Sequence, residues 1–298
     1  MAVPSYNPIL ARNGIIQSTH SGPMKERYHS LKYVSETALR SEHSKNMTSL
    51  LDMHAISGKY LFPQNRKLKK PYWVHVNSIE LACYHRIVSN HGLTLVHFHG
   101  NGEAVSDYVP FFADLFQDMG LNQLFIEYRG YGGSSGQAKL VAMLDDGDGV
   151  LQAAGIRPEN AVVFGRSIGS LYAIELAYRQ PNLAGLIIES GIADPCERFL
   201  NYADLQSSGI SESEVRAEAA KYFNHELKLS NYFNPLLILH AEHDGLIDLS
   251  HAQRNDQWAS SNQKRLVQFP NGNHNTIFQA NSRAYLTAVQ GFVEGLGR

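Results

Sequence analysis

Short runs of apolar residues alternate along this chain with segments long enough to form a helix. Glycine, proline or asparagine residues bound most of these runs. Runs that stay apolar at nearly every position are typical of strands buried on both faces, as in a mostly parallel sheet. The alternation predicts βαβ units, and therefore an α/β fold with helices on both faces of a central sheet. The runs assigned to strands are residues 93–98, 123–128, 161–164, 183–188, 236–239 and 265–269.

Two further patterns extend the predicted sheet and its helical cover. Residues 73–76 and 79–84 flank Asn77 and Ser78, which predicts an antiparallel hairpin. From Ala284 onward, apolar residues recur at the spacing of one helix face, which predicts a closing helix packed on the sheet. These residues are Tyr285, Leu286, Val289, Phe292, Val293 and Leu296.

The chain length of 298 residues fits one large α/β domain preceded by an extension. We expect the domain to cover residues 55–298, because the apolar pattern sharpens only from about residue 55. Residues 1–54 are interpreted as an extension that packs outside the domain, forms a lid or docks a partner.

The interval between the runs at 183–188 and 236–239 is longer than a simple crossover requires. Within it, Ser211 and Glu214 form a capping-box pattern, which predicts the start of a helix. Open parallel sheets bind ligands beyond the carboxyl ends of their strands, and this interval follows such an end. Residues 195–232 are therefore predicted to form a small helical lid.

The composition excludes several classes of function. A formal net charge of −2 supplies no basic field for phosphates, so no nucleic-acid partner is expected. Two cysteines, Cys83 and Cys196, are too few for a disulfide framework and suit a reducing compartment. No run approaches about 18 apolar residues, so we expect no transmembrane segment. The expected location is cytoplasmic, with secretion by a route that uses no apolar signal left open.

Residues 165–169 read Gly-Arg-Ser-Ile-Gly and lie between a predicted strand and a predicted helix. A serine in Gly-x-Ser-x-Gly at such a junction forms a nucleophile elbow, whose tight turn requires the two glycines. The turn raises the Ser167 hydroxyl to a helix N-terminus, where partial positive charge favours developing anions. Ser167 is the predicted nucleophile, and an ordinary turn between strand and helix is the alternative.

A serine hydroxyl needs a base that accepts its proton and a carboxylate that orients the base. After Ser167 the chain has Asp244, beyond the run at 236–239, and His274, beyond the run at 265–269. This order, with each residue after its own strand, is the order of a Ser–acid–His triad. Glu242 and Asp248 are rival acids, although Asp248 also has the position of a helix N-cap.

Acyl transfer further requires N–H donors that stabilise an oxyanion. The backbone N–H of Ile168, directly after the nucleophile, is one predicted donor. The second is expected in the loop after the first parallel strand, which begins His-Gly-Asn at residues 99–101, and the N–H of Asn101 is the candidate.

These motifs, together with Glu-Tyr-Arg-Gly-Tyr-Gly at residues 127–132, resemble the α/β-hydrolase superfamily. The likeness covers about residue 55 to the C-terminus. It is closest to the small-lid branch that includes protein depalmitoylases and monoacylglycerol or lysophospholipid lipases. The resemblance implies that Ser167, Asp244 and His274 form a catalytic triad and that the histidine–glycine loop supplies an oxyanion hole. Glu127 stands where the family often has aspartate, and we expect it to have a structural role.

The expected activity is that of a cofactor-independent serine hydrolase acting on an ester or thioester of a small-molecule or acylated substrate. A serine peptidase or amidase, and a binding module that kept the fold without the chemistry, are the alternatives. Substrate contacts are predicted for Glu103, Arg166, Tyr222 and Phe223. Arg166 has a second interpretation, a bridge to a neighbouring loop, and both aromatic residues are equally well explained as core.

Two other motifs are assigned structural roles. His97 and His99 form a His-x-His pair, but no third ligand follows at zinc-like spacing, so no metal is expected. The acidic segment at residues 145–149 lacks the glutamate and spacing of a calcium loop, and is interpreted as a polar helix surface.

Overall fold

The predicted apolar runs form strands of a single sheet. The computed structural model describes residues 48–296. Within them the strands are Tyr72–Val76 (β1), Ile79–Arg86 (β2), Thr94–Phe98 (β3), Asn122–Ile126 (β4), Ala161–Arg166 (β5), Gly185–Glu189 (β6), Leu236–Ala241 (β7) and Lys264–Phe269 (β8). Their order in the sheet is β1-β2-β4-β3-β5-β6-β7-β8. β2 is antiparallel to both β1 and β4, and the remaining neighbours are parallel. The mostly parallel sheet is therefore confirmed.

Helices pack on both faces of this sheet, as the alternating pattern predicts. In residues 48–296 they are Ser57–Tyr60 (α1), Phe112–Asp118 (α2), Asp146–Ala153 (α3), Gly169–Arg179 (α4), Pro195–Leu200 (α5), Leu205–Ser208 (α6), Glu212–Tyr222 (α7), His225–Ser230 (α8), Leu249–Trp258 (α9) and Ile277–Leu296 (α10). Short 3₁₀ turns lie at Leu50–Asp52, Val105–Asp107, Ala142–Asp145 and Pro158–Asn160.

The central strands are apolar at successive positions because both of their faces are buried. On β3, Val96 packs in one core layer with residues of α3 and α4, whereas Leu95 packs in the other layer with residues of α2 and α10. Side chains alternate between the two faces of a strand, so a strand covered on both sides needs apolar residues at every position.

The hairpin and the closing helix are both present, and they differ in how well the sequence pattern predicts their bounds. The β1–β2 turn contains Asn77 in the left-handed region (φ 54), which asparagine tolerates better than most residues. The apolar face predicted from Ala284 onward lies in the closing helix α10, which also has a first segment from Ile277 that the pattern did not indicate. Asn281 has non-helical angles (φ −134, ψ 24), and this break interrupts the apolar spacing that would have indicated the first turns.

Helices α5 to α8 occupy the interval predicted to form a lid. The predicted capping box is present: Glu214 N donates to Ser211 Oγ (3.2 Å), and Ser211 N donates to Glu214 Oε2 (2.8 Å). Two backbone N–H groups at the N-terminal end of α7, those of Ser211 and Glu214, are thereby satisfied. The helix begins at Glu212.

The described residues from Ser49 onward pack as one compact unit. Leu51 is fully buried in the core, and Ser49 Oγ donates a hydrogen bond to Glu218 Oε1 (2.7 Å). This unit starts before residue 55, where the sequence pattern places the domain boundary. Most of the predicted extension, residues 1–47, lies outside the described residues.

The acidic segment at 145–149 is only partly a helix surface. Asp146 is buried and forms a bidentate ion pair with Arg129 (Oδ1 to Nη2, 2.6 Å). Asp145 and Asp148 both contact Arg179 at the end of α4 (2.7 and 3.2 Å). The interpretation as a polar surface is wrong for Asp146, because a guanidinium group replaces water as its partner.

Candidate active site

Ser167 lies on a strained turn between β5 and α4. Its φ of 52 is in the left-handed region, an uncommon conformation for a residue with a side chain. Ser167 N donates to Glu189 O of β6 (2.9 Å), and the Ser170 hydroxyl donates to Ser167 O (2.6 Å). Strain of this kind persists only where surrounding bonds hold it, and it concentrates at functional sites.

Both glycines of the motif are required by close backbone approaches. A Cβ atom at Gly165 would lie 2.5 Å from Ala173 Cβ, and one at Gly169 would lie 2.1 Å from Phe98 O. The second approach brings the start of α4 against the end of β3, so the loop after β3 lies beside the serine.

The structure brings together the three residues predicted to form the triad. His274 Nε2 lies 2.9 Å from Ser167 Oγ, and His274 Nδ1 lies 2.7 Å from Asp244 Oδ2. An ionised carboxylate only accepts hydrogen bonds, so Nδ1 carries the proton and Nε2 is free to accept from the serine hydroxyl. All three side chains are buried or nearly so, and each follows a different parallel strand at the same edge of the sheet.

Asp244 is held as a carboxylate by its hydrogen bonds. Burial raises its pKa, but the hydrogen bond from His274 and the backbone N–H groups of Ile247 and Leu246 outweigh burial and lower the pKa overall. Those N–H groups donate to Oδ1 at 2.8 and 2.9 Å. Of the rival acids, Asp248 caps α9 by accepting from Ser250 N (2.9 Å), and Glu242 is exposed.

The predicted oxyanion donors lie in the two backbone segments that approach each other at Gly169. Within residues 48–296, neither Asn101 N nor Ile168 N donates to a protein acceptor. The side chain of Asn101 fixes this loop, since its Nδ2 donates to Tyr60 O (2.6 Å) and its Oδ1 accepts from Phe62 N (2.9 Å). The loop is thus rigidly attached while both N–H groups remain available.

His99 supports the same loop through hydrogen bonds to Gly100 and Glu127. Its Nδ1 lies 2.9 Å from Gly100 O and its Nε2 lies 2.8 Å from Glu127 Oε1. Burial lowers the pKa of His99, but the charge and hydrogen bond of Glu127 outweigh burial and raise it. An imidazolium donates from both nitrogens, which is what these two acceptors require. Glu127 therefore has the structural role expected from the sequence.

A family model and several curated relatives match part of this chain. A family model described as serine aminopeptidase, S33, matches residues 89–209. The chain is 28% identical over 176 residues to alpha/beta hydrolase domain-containing protein 17B of Homo sapiens, across 57% of each protein. It is 26% identical over 191 residues to the uncharacterized protein YfhR of Escherichia coli (strain K12), across 62% of this chain and 64% of that protein. The matched region thus spans less than two thirds of either relative.

Solved structures share the fold. The esterase Pf2001 of Pyrococcus furiosus superimposes with a TM-score of 0.62 at 17% identity, over 78% of this chain and 98% of that one. Esterase RhEst1 of Rhodococcus sp. ECU1013 gives a TM-score of 0.57 at 18% identity, over 75% and 98%. The chain therefore has the α/β-hydrolase fold.

Arg166 and Glu103 contact each other behind the triad. Arg166 Nη1 pairs with Glu103 Oε1, Arg166 Nη2 donates to His274 O (2.9 Å), and Glu103 Oε2 accepts from Gly100 N (2.7 Å). These contacts correspond to the second interpretation of Arg166, a bridge to a neighbouring loop.

The two aromatic residues predicted to contact substrate lie in the lid. Phe223 is buried and packs edge-to-face on Phe199, with ring centroids 5.3 Å apart. Tyr222 is half-buried and packs against the same core layer. Their contacts are those of residues that stabilise the lid.

Several residues that support the site were not singled out from the sequence. His240 is fully buried on β7, where its Nε2 donates to Ile247 O (2.8 Å) and lies 3.7 Å from Asp244 Oδ2. Glu189 ends β6 and pairs with Arg166 (Oε1 to Nε, 3.0 Å). Both residues sit in or at the end of apolar strands, and a polar residue in such a run is the signal that could have found them.

The described residues give two further findings, one on metal sites and one on membrane spans. Among residues 48–296, no group of three or more histidine, cysteine, aspartate or glutamate side chains is placed to hold a metal ion. None of the helices in that range is both long and apolar enough to cross a bilayer.

Proposed function

We propose that this protein is a serine hydrolase that cleaves a carboxylic ester or thioester through an acyl-enzyme on Ser167. The observation that carries the proposal is the position of His274, within hydrogen-bond distance of both Ser167 Oγ and Asp244 Oδ2. Support also comes from the hydrolase relatives and from the esterases that share the fold.

In the first half of the reaction, Ser167 Oγ attacks the acyl carbon while His274 Nε2 takes the hydroxyl proton. Asp244 keeps the imidazole in the reactive tautomer and stabilises the imidazolium. The Asn101 and Ile168 N–H groups donate to the oxyanion of the tetrahedral intermediate. That intermediate collapses as the C–O or C–S bond breaks, and His274 gives its proton to the leaving alcohol or thiol.

In the second half, water repeats the sequence on the acyl-enzyme. His274 takes a proton from water as its oxygen attacks the acyl carbon, and the bond to Ser167 Oγ then breaks. The acid leaves, and the proton returns to Ser167. The cycle uses only water as co-substrate and needs no cofactor.

The first test is Ser167→Ala. Loss of the nucleophile is expected to reduce kcat for a nitrophenyl ester by about 10⁴-fold or more and to abolish labelling by a fluorophosphonate probe. Ser250→Ala changes an exposed serine at the start of α9 and should leave turnover and labelling unchanged. A Ser167→Ala protein that still turned over ester and took up the probe would overturn the proposal.

A second candidate is amide or peptide hydrolysis by the same triad, which the match to the serine aminopeptidase model favours. Amides and esters use the same nucleophile and oxyanion donors, and differ in the leaving group that His274 must protonate. Comparison of kcat/KM for nitrophenyl esters, thioesters and aminoacyl anilides separates the two. Higher values for the anilides would make the peptidase the better description.

A further inference from the structure

A buried ionic network lies behind the triad, on the side of the sheet that α2 and α10 cover. We define the Arg166 network as Arg166, Glu103, Glu189, Tyr108 and Tyr285. Arg166 pairs with Glu103 and, through Nε, with Glu189 Oε1 (3.0 Å). The Tyr108 hydroxyl donates to Glu103, and the Tyr285 hydroxyl donates to Glu189. The Arg166 side chain is 12% exposed, so these bonds form largely away from water.

The network contacts each loop that contributes to the proposed reaction. Through Glu103 it holds Gly100 N (2.7 Å), next to the predicted oxyanion donor Asn101. Through Arg166 Nη2 it holds the carbonyl oxygen of His274 (2.9 Å), the residue proposed as the base. Arg166 itself directly precedes Ser167. One guanidinium therefore connects the nucleophile, the base and the oxyanion loop.

A cavity of about 260 Å³ borders this network, so close packing does not hold the His274 loop on that side. Its wall includes the rings of Phe112, Phe164 and Phe278, as well as Arg166 and Asn275. Protein atoms that face this space make fewer dispersion contacts with other protein atoms than atoms packed on all sides. The hydrogen bonds of Arg166 therefore contribute a larger share of the support on this side of the loop.

The chemistry of the network suits a structural support better than a ligand-binding site. Each guanidinium nitrogen has a partner on Glu103, Glu189 or His274, and the fixed fork of arginine makes the geometry of the three specific. Burial raises the pKa of Glu189, and Arg166 offsets part of that rise. Arg166 is thus fully engaged by acceptors within the protein.

We propose that Arg166 is a positioning residue, whose guanidinium sets the separation of the His274 loop and the oxyanion loop around Ser167. The inference deepens the proposed function and rests on it. Positioning errors of about 1 Å can cost about 100-fold in rate, because the reacting groups must meet in a near-attack geometry. Because this role concerns the spacing of the reacting groups, the rate of the chemical step should respond more than KM does.

The test compares Arg166→Met with Arg179→Met. Arg179 is also a largely buried, ion-paired arginine, but it lies at the far end of α4 and contacts Asp145, Asp148 and Glu175 instead. We expect Arg166→Met to lower kcat for a nitrophenyl ester by about 10- to 100-fold with KM changed less than about threefold. The rate of fluorophosphonate labelling should fall in parallel. Arg179→Met should keep kcat within about twofold at matched folded fraction.

Chemical rescue provides a readout that a purely structural role would not give. In Arg166→Ala, guanidinium ion supplied well below unfolding concentrations can enter the space left beside the cavity and should restore part of kcat. Arg179→Ala and Ser167→Ala should gain nothing. Arg166→Lys is expected to fall between wild type and Arg166→Met, since one ammonium group cannot bond all three partners at once.

The outcomes separate this inference from the function on which it rests. If wild-type protein neither turns over esters nor reacts with the probe, the proposed function fails. If wild type is active and Ser167→Ala is inactive, but Arg166→Met keeps its kcat, only the positioning role is overturned. Should Arg166→Met fail to fold, Glu103→Gln tests the same link. It keeps the shape but removes the charge partner, and an unchanged kcat would again overturn the inference.

Discussion

The loop proposed to bind the oxyanion depends on a charge buried beneath it. Glu127 accepts hydrogen bonds from three donors: His99 Nε2 (2.8 Å) and Tyr128 N (3.2 Å) on Oε1, and Val105 N on Oε2 (3.0 Å). A Cβ atom at Gly132 would lie 2.0 Å from Glu127 Oε2, so the glycine makes room for the carboxylate. A carboxylate is the side chain that offers two acceptors in one plane, and an amide offers one.

Glu127→Gln is therefore expected to destabilise the protein although it preserves shape. The amide can accept from His99 or from Val105 but not from both, and the His99 imidazolium loses its counter-charge. Removing one partner of a buried pair costs about 3–5 kcal/mol of unfolding free energy. Urea unfolding followed by tryptophan fluorescence measures this cost.

A matched control uses an exposed pair of the same charges. Arg157 and Glu159 lie 3.3 Å apart with both side chains at least half exposed. Glu159→Gln should change the unfolding free energy by less than about 1 kcal/mol. Equal effects of Glu127→Gln and Glu159→Gln would contradict the role assigned to the buried pair.

At the scale of elements, the strands were easier to predict than the helices. Burial on both faces makes most positions of β3, β5 and β7 apolar, so these strands are visible in the sequence. Helix α10 shows the opposite case, because a break at Asn281 hides its first turns. The start of α7 was predictable from Ser211 and Glu214, since a capping box is a local signal. The contact that anchors the lid was not predictable, because it joins two residues that are far apart in the sequence.

The anchor is an ion pair between α8 of the lid and α4 beneath it. Lys228 Nζ lies 2.5 Å from Glu175 Oε2, with both side chains almost fully buried. Burial raises the pKa of Glu175, but the charges of Lys228 and Arg179 outweigh it and lower the pKa to about 2. Glu175 is thus ionised in the core and depends on these cations.

Lys228→Met is expected to lower the unfolding free energy by about 3 kcal/mol, because Glu175 keeps its charge but loses one counter-ion. The double variant Glu175→Met/Lys228→Met should recover part of the loss, since it leaves no carboxylate in the core. Arg216→Met, which alters the exposed pair with Glu212, should cost less than about 1 kcal/mol. A double variant less stable than the sum of the single variants would show that the anchor works in another way.

For the whole molecule, chain order and sheet order together explain why the site was predictable. Ser167, Asp244 and His274 each follow a parallel strand, and parallel strands end at one edge of the sheet. The sequence therefore indicates which residues can converge. It does not indicate that Arg166 turns away from the serine toward Glu189, because side chains at strand ends take their direction from neighbouring strands.

The molecule also buries several histidines in neutral form. Burial lowers the pKa of His97, His225, His240 and His251, and that of His225 falls to about 3. In the unfolded chain a histidine has a pKa of about 6.5. Below that pH the unfolded state binds more protons than the folded state, so stability falls as the pH falls. His99 acts in the opposite sense, because its pKa is raised in the folded protein.

His225 allows a single-residue test, because it is fully buried and lies near Lys228 of the same helix and near Glu175 and His251 of neighbouring elements. With its folded pKa at about 3, we expect His225 to cost about 2 kcal/mol of unfolding free energy between pH 7.5 and pH 5. His225→Asn removes the titrating group, so urea unfolding at the two pH values should show a pH-dependent loss smaller by about 2 kcal/mol than in wild type. His91→Asn, at an exposed position, should leave the pH-dependent loss of unfolding free energy the same as in wild type. If His225→Asn and His91→Asn gave the same pH dependence, protonation of buried histidines would not be what destabilises the fold in acid.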